Sequence, residues 1–131
     1  MKIAIDARLA FAREVRGMGQ YVESLLYEMP KLFSDTEEIF ILTDTLKNEE
    51  LLQYLSQFKN IKIVYKNLFF LLWEQLWLPF FLFKNSIDVS HFPGDTAPIL
   101  KLGTHREILT LHDVAFMQSS KQYPSSNSFR R

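Results

Sequence analysis

The chain contains no cysteine in 131 residues. Structural disulfides, thiolate metal sites and a cysteine nucleophile are therefore excluded, and a reducing cytoplasm suits the composition. It also has no net charge, with fifteen Lys and Arg against fifteen Asp and Glu, so no global field draws it to nucleic acid or anionic lipid. Glycine and histidine are scarce, at four and three residues. Three histidines without ligand spacing argue against a metal site, and no metal ligand is assigned. No apolar run approaches the roughly twenty residues of a spanning helix, because Leu68 to Phe83 is interrupted by Glu74, Gln75 and Pro79. The opening residues Met1 to Asp6 lack the long apolar segment and cleavage site of a secretory signal.

What is abundant is apolar and aromatic matter, 47% and 15% of residues, in a chain long enough for one core. Lys2 to Asp6, Glu38 to Thr43, Ile61 to Tyr65, Ile87 to Phe92 and Glu107 to His112 are short β-branched or apolar runs that predict strands. Between them lie helical patterns. Val22, Leu25, Leu26, Met29 and Phe33 recur on one face and meet a stop near Pro30. Leu51, Tyr54, Leu55 and Phe58 predict a second helix opened by Asn48, Glu49 and Glu50. A third, capped by Asn67, runs to about Lys84 with a kink at Pro79. Alternating strands and helices predict an α/β fold, a Rossmann-like parallel sheet with flanking helices. Residues 1–117 are assigned to this domain and 118–131 to a polar, Ser-rich tail expected to be mobile.

In a parallel sheet, ligands bind beyond the carboxyl ends of the strands. Four groups follow predicted strands or open a helix there. Gly17, Met18, Gly19 and Gln20 precede the first helix, where free N–H groups and the dipole favour a phosphate; a turn that needs glycine only for its backbone angles is the alternative. Val22 occupies the third glycine position of a dinucleotide fingerprint, which disfavours an NAD-type site. Asp6 and Arg8 form either a loop salt bridge or part of a site. His91 and the pair His112 and Asp113 emerge at strand ends, either as satisfied structural groups or as groups that meet a ligand. Trp73 and Trp77, one turn apart, serve either the core or a surface for a membrane or partner.

Several blocks stand in order along the chain: Met1-Lys2-Ile3-Ala4-Ile5-Asp6-Ala7-Arg8, Arg16-Gly17-Met18-Gly19-Gln20-Tyr21-Val22, Leu72-Trp73-Glu74-Gln75-Leu76, Asp88-Val89-Ser90-His91-Phe92-Pro93 and Leu109-Thr110-Leu111-His112-Asp113. Together they resemble the opening of a family 4 (group 1) glycosyltransferase, nearest to the bacterial mannosyltransferase-like members. The resemblance covers residues 1 to about 124. It implies the N-terminal half of a GT-B fold, in a retaining transferase that moves a mannose-like sugar from a nucleotide-sugar donor to a glycan or lipid-linked acceptor, with no cofactor. It further implies that Gly17 and Gly19 approach donor phosphates and acceptor, that His112 contacts the donor sugar, that Asp113 orients His112, and that Asp6, Arg8 and His91 lie on the acceptor side. Gln20 stands where relatives commonly carry Arg, which removes one cation from that region. A donor-binding domain is not among these residues, so the resemblance implies that they carry out no transfer alone. Peripheral contact at the inner membrane face, or self-association through the Trp73/Trp77 helix, is the expected partnership. The alternative to the enzyme is a catalytically inactive Rossmann-like interaction or oligomerisation module.

Overall fold

The structure, a computed structural model, describes residues 1–112. The expected tail and Asp113 lie outside the described residues. Five strands, β1 (Lys2–Asp6), β2 (Glu38–Thr43), β3 (Ile61–Tyr65), β4 (Val89–Phe92) and β5 (Arg106–Leu109), form one all-parallel sheet in the order β3-β2-β1-β4-β5. Helix α1 (Met18–Glu28) connects β1 to β2, and α2 (Glu49–Leu55) connects β2 to β3. The next crossover contains α3 (Phe70–Leu72), a π-helical segment (Trp73–Trp77) and α4 (Leu78–Lys84). Loop 93–105 links β4 to β5. The result is an α/β, Rossmann-like arrangement.

Alternation along the strands sorts side chains between two layers. Ile3, Ile5, Ile39 and Ile41 face α1 and α2, where they pack with Val22, Leu26, Leu51 and Leu55. Ala4, Phe40 and Leu42 face the other way, onto Trp73, Leu78, Leu82 and Phe92. Strand β2 is apolar from Ile39 to Leu42 because both layers cover it, as its sequence predicts. Each large side chain so enclosed contributes about 2 kcal/mol of burial free energy. By contrast β5 is exposed throughout.

Element ends differ from expectation for local reasons. Helix α1 starts at Met18 rather than Gln20, since Gly17 at φ +51° supplies the turn into it. Asn48 does cap α2, accepting from Leu51 N–H, and its amide also donates to the Ala10 carbonyl and Glu23. Asn67 caps nothing: Phe69 holds the position before α3. Around Pro79 the backbone widens before the proline, with Leu78 N–H donating to the Trp73 carbonyl five residues back. The predicted fourth strand contracts to Val89–Phe92, and the fifth, expected over 107–112, lies earlier at Arg106–Leu109, so His112 lies three residues past β5.

Candidate functional site

The strand order reverses direction between β1 and β4, the neighbours from which the chain proceeds to opposite sides of the sheet. A crevice opens beyond the carboxyl ends of the strands at such a point. Here it is a cavity of about 370 Å³ whose lining includes Asp6 at the end of β1 and Arg8 just past it, Asp44 and Thr45 after β2, and Gly94 and Thr96 after β4. Leu9, Met18 and Phe70 supply apolar walls. A larger hollow of about 540 Å³ lies at the other end of the strands, against Met1, Asp88 and Arg106, away from the rim where parallel sheets bind ligands.

The polar floor of the cavity is an ordered network. Asp6 accepts from the Arg8 backbone N–H at 3.2 Å, from Nε at 3.0 Å and from Nη2 at 2.6 Å. The same Nη2 donates to Glu74 at 2.7 Å, and the Thr96 hydroxyl donates to that Glu74 oxygen at 2.9 Å. Gln75 donates to the other Glu74 oxygen at 3.0 Å. The guanidinium lies over Trp73, with Cζ 4.1 Å from the ring centroid, and 5.0 Å from that of Phe70. Burial by itself lowers the Arg8 pKa, but the contacts to Asp6 and Glu74 outweigh it and hold the group above its ordinary value. Asp44 is shifted the opposite way for a carboxylate: desolvation raises its pKa, and the Arg8 charge only partly offsets this.

Asp6 and Arg8 therefore do form a salt bridge, and they form it inside the cavity. Glu74 completes the group, although in the sequence it is merely a polar interruption of an apolar stretch. Asp44 likewise follows a strand directly and could have been found by that position. The π-helical segment carries Glu74, which its widened turn sets beside Arg8 while Trp73 stays in the core.

The glycine turn borders this cavity through Met18. Gly19 is buried, and a Cβ there would stand 2.7 Å from the Leu9 carbonyl, so its missing side chain lets α1 pack on the turn after β1. Gly19 and Gln20 N–H groups donate within the turn, to Arg16 and Gly17 carbonyls, which commits two amides of the expected phosphate loop.

The histidines separate. His91 points to the α1 face, where it lines an apolar groove with Ile5, Leu25 and Ile108, and its Nε2 meets Thr110 Oγ1 at 2.9 Å. Desolvation lowers its pKa. It is not part of the acidic cavity. His112 lies beside the turn after β4: its N–H donates to Asp95, and its Nε2 meets the Pro93 carbonyl. A carbonyl only accepts, so Nε2 carries the proton in this contact. The ring stands edge-on to Tyr21 of α1, centroids 4.7 Å apart, which places the glycine turn and His112 on one rim. Asp95 holds this contact from a left-handed backbone conformation, φ +66°.

No protein-family model matches the chain, and neither a curated protein nor a solved structure matches it.

Proposed function

We propose that this chain is the acceptor-side, N-terminal portion of a retaining glycosyltransferase of the GT-B type, acting on a mannose-like nucleotide-sugar donor and a glycan or lipid-linked acceptor. One observation carries the reading: an acidic cavity with apolar walls at the switch point of a Rossmann-like sheet. Sugars present hydroxyl donors along their edges and C–H groups on their faces. Asp6 and Asp44 offer acceptors to the first, while Phe70, Leu9 and Met18 suit the second. The lining cation, Arg8, is already paired with Asp6 and with buried Glu74, and Asp6 and Asp44 both line the cavity, so it favours a neutral polyol over a diphosphate. In this reading the donor diphosphate is held by a second domain, and His112 meets the donor sugar beside the acceptor hydroxyl.

Tryptophan fluorescence tests the assignment, because Trp73 lies directly beneath Arg8. Titration with a mannosyl disaccharide should perturb the emission, and Asp44→Asn should weaken the effect. NAD should leave it unchanged. Saturable NAD binding with no response to any glycoside would replace the sugar reading with a different nucleotide chemistry. The inactive interaction module is the second reading, favoured by the apolar residues exposed along the third crossover.

A further inference from the structure

We propose that the ligand of the rim cavity is a sugar carrying a protonated amine, and that its ammonium group pairs with Asp44. This rests on the acceptor reading above and narrows its substrate class from polyols at large to amino sugars.

Among the charged groups that line the cavity, Asp44 stands without a partner. Arg8 is the lining cation, and its Nη2 is already occupied by Asp6 at 2.6 Å and Glu74 at 2.7 Å. Both Asp6 oxygens in turn accept from Arg8. Asp44 has no place in this network: among the described residues it meets no cation within 4.0 Å, and its carboxylate accepts from none of the side chains that tie Asp6, Arg8, Glu74, Gln75 and Thr96 together. It is nevertheless partly buried. Water is thus withdrawn from a carboxylate that gains no countercharge in its place. Desolvation raises its pKa, the Arg8 charge works against the shift, and the Asp6 charge adds to it. A ligand that brings a cation relieves this cost, and a neutral or anionic ligand does not.

The remaining lining decides what carries the cation. Leu9, Ala12, Met18 and Phe70 form apolar walls, while Thr45 and Thr96 add hydroxyls. A bare metal ion would leave those walls unused, and among the described residues no group of three or more His, Asp or Glu side chains could hold one. A pyranose with one amino substituent uses the whole lining: its C–H faces meet the walls, its hydroxyls meet Asp6 and the threonines, and its ammonium makes a charge-assisted hydrogen bond to Asp44. The volume of about 370 Å³ lies toward the small end of ligand pockets, roughly 300 to 1,000 Å³, as a sugar of one or two rings requires.

Isothermal titration of the 131-residue chain at neutral pH is the test, with the methyl glycosides of glucosamine, N-acetylglucosamine and glucose, and with ethylammonium. N-acetylation removes the charge and keeps the ring. The glucosaminide should bind about tenfold more tightly than either neutral glycoside, the gain expected of a hydrogen bond to a charged group. That margin should shrink as salt is raised, and it should vanish in Asp44→Asn, which keeps the side chain's size and sheds the desolvated charge. Equal binding of all three glycosides overturns the proposal and leaves the sugar reading standing. A preference that survives in Asp44→Asn overturns the pairing with Asp44. Ethylammonium that matches the glucosaminide while neither neutral glycoside binds overturns the proposal and the sugar reading together, because the cavity is then a simple cation site; so does the absence of binding by all four probes.

Discussion

Arg8 and Glu74 stand sixty-six residues apart in the chain and meet at 2.7 Å, with side chains only 10% and 5% exposed. Arg8 thereby joins the turn after β1 to the helix that covers the other face of the sheet, and it neutralises part of a carboxylate cluster that would otherwise repel itself. Replacing Arg8 with Met leaves Asp6 and Glu74 facing each other without a cation. Urea unfolding should show a loss of about 3 kcal/mol. Glu74→Gln in that background should recover part of it, because the buried charge then goes with its partner. A loss within error for Arg8→Met would mean that the network contributes nothing to the fold.

The two glycines at the start of α1 should respond differently to alanine. At Gly19 the new Cβ would press on the Leu9 carbonyl, a backbone atom that cannot turn aside, so about 2 kcal/mol of stability should be lost. At Gly17 there is open space around the position, and only the φ of +51° penalises a side chain, by about 1 kcal/mol. Thermal melts of the pair should rank Gly19→Ala below Gly17→Ala; the reverse order would contradict the close packing of α1 on the turn.

Asp44 and His91 should give pH responses of opposite sign. Folding raises the Asp44 pKa above 3.8, so its favourable contribution is present below that value and lost as pH rises through the folded-state pKa. Asp44→Asn should therefore stabilise the protein at neutral pH and match wild type in strong acid. For His91, folding lowers the pKa below 6.5, so stability is intact above 6.5 and falls as acid forces the buried ring to charge. NMR titration of the His91 ring should place its midpoint below that of a free imidazole. A midpoint above it would point to a carboxylate partner absent from the described contacts.

His112 is exposed and anchored through its own backbone N–H and one ring nitrogen. His112→Ala should leave the melting temperature nearly unchanged. On the proposed transferase reading, the same substitution in a longer chain that transfers sugar should slow turnover by roughly a hundredfold or more, as the loss of a polar group beside reacting atoms does. Turnover at the wild-type rate would take His112 out of the chemistry.

Much of the architecture is legible from residue order alone. The blocks Lys2–Asp6, Glu38–Thr43 and Ile61–Tyr65 become strands with the expected bounds, because short β-branched runs between turn residues have few other ways to bury themselves. The site is less legible. Asp6 and Arg8 could be named from their place after a strand, yet whether they pair in solvent or inside a cavity depends on the helix that arrives sixty-odd residues later. His91 and His112 look equivalent as polar residues near strand ends, but strand alternation sends the first to the α1 face, while the second leaves the sheet and follows the turn around Pro93.

Local chemistry along the chain set which segments are strands, which are helices, and that the sheet is parallel, since these follow from period, turn residues and the helical lengths between strands. Packing in three dimensions decided the rest: that Trp73 is core while Leu76 and Phe80 are surface, that Glu74 belongs to Arg8, and that an acidic cavity forms at the rim. Burial, desolvation and the sharing of one guanidinium between two carboxylates are properties of neighbours in space, and a residue's neighbours in space are not written in its neighbours along the chain.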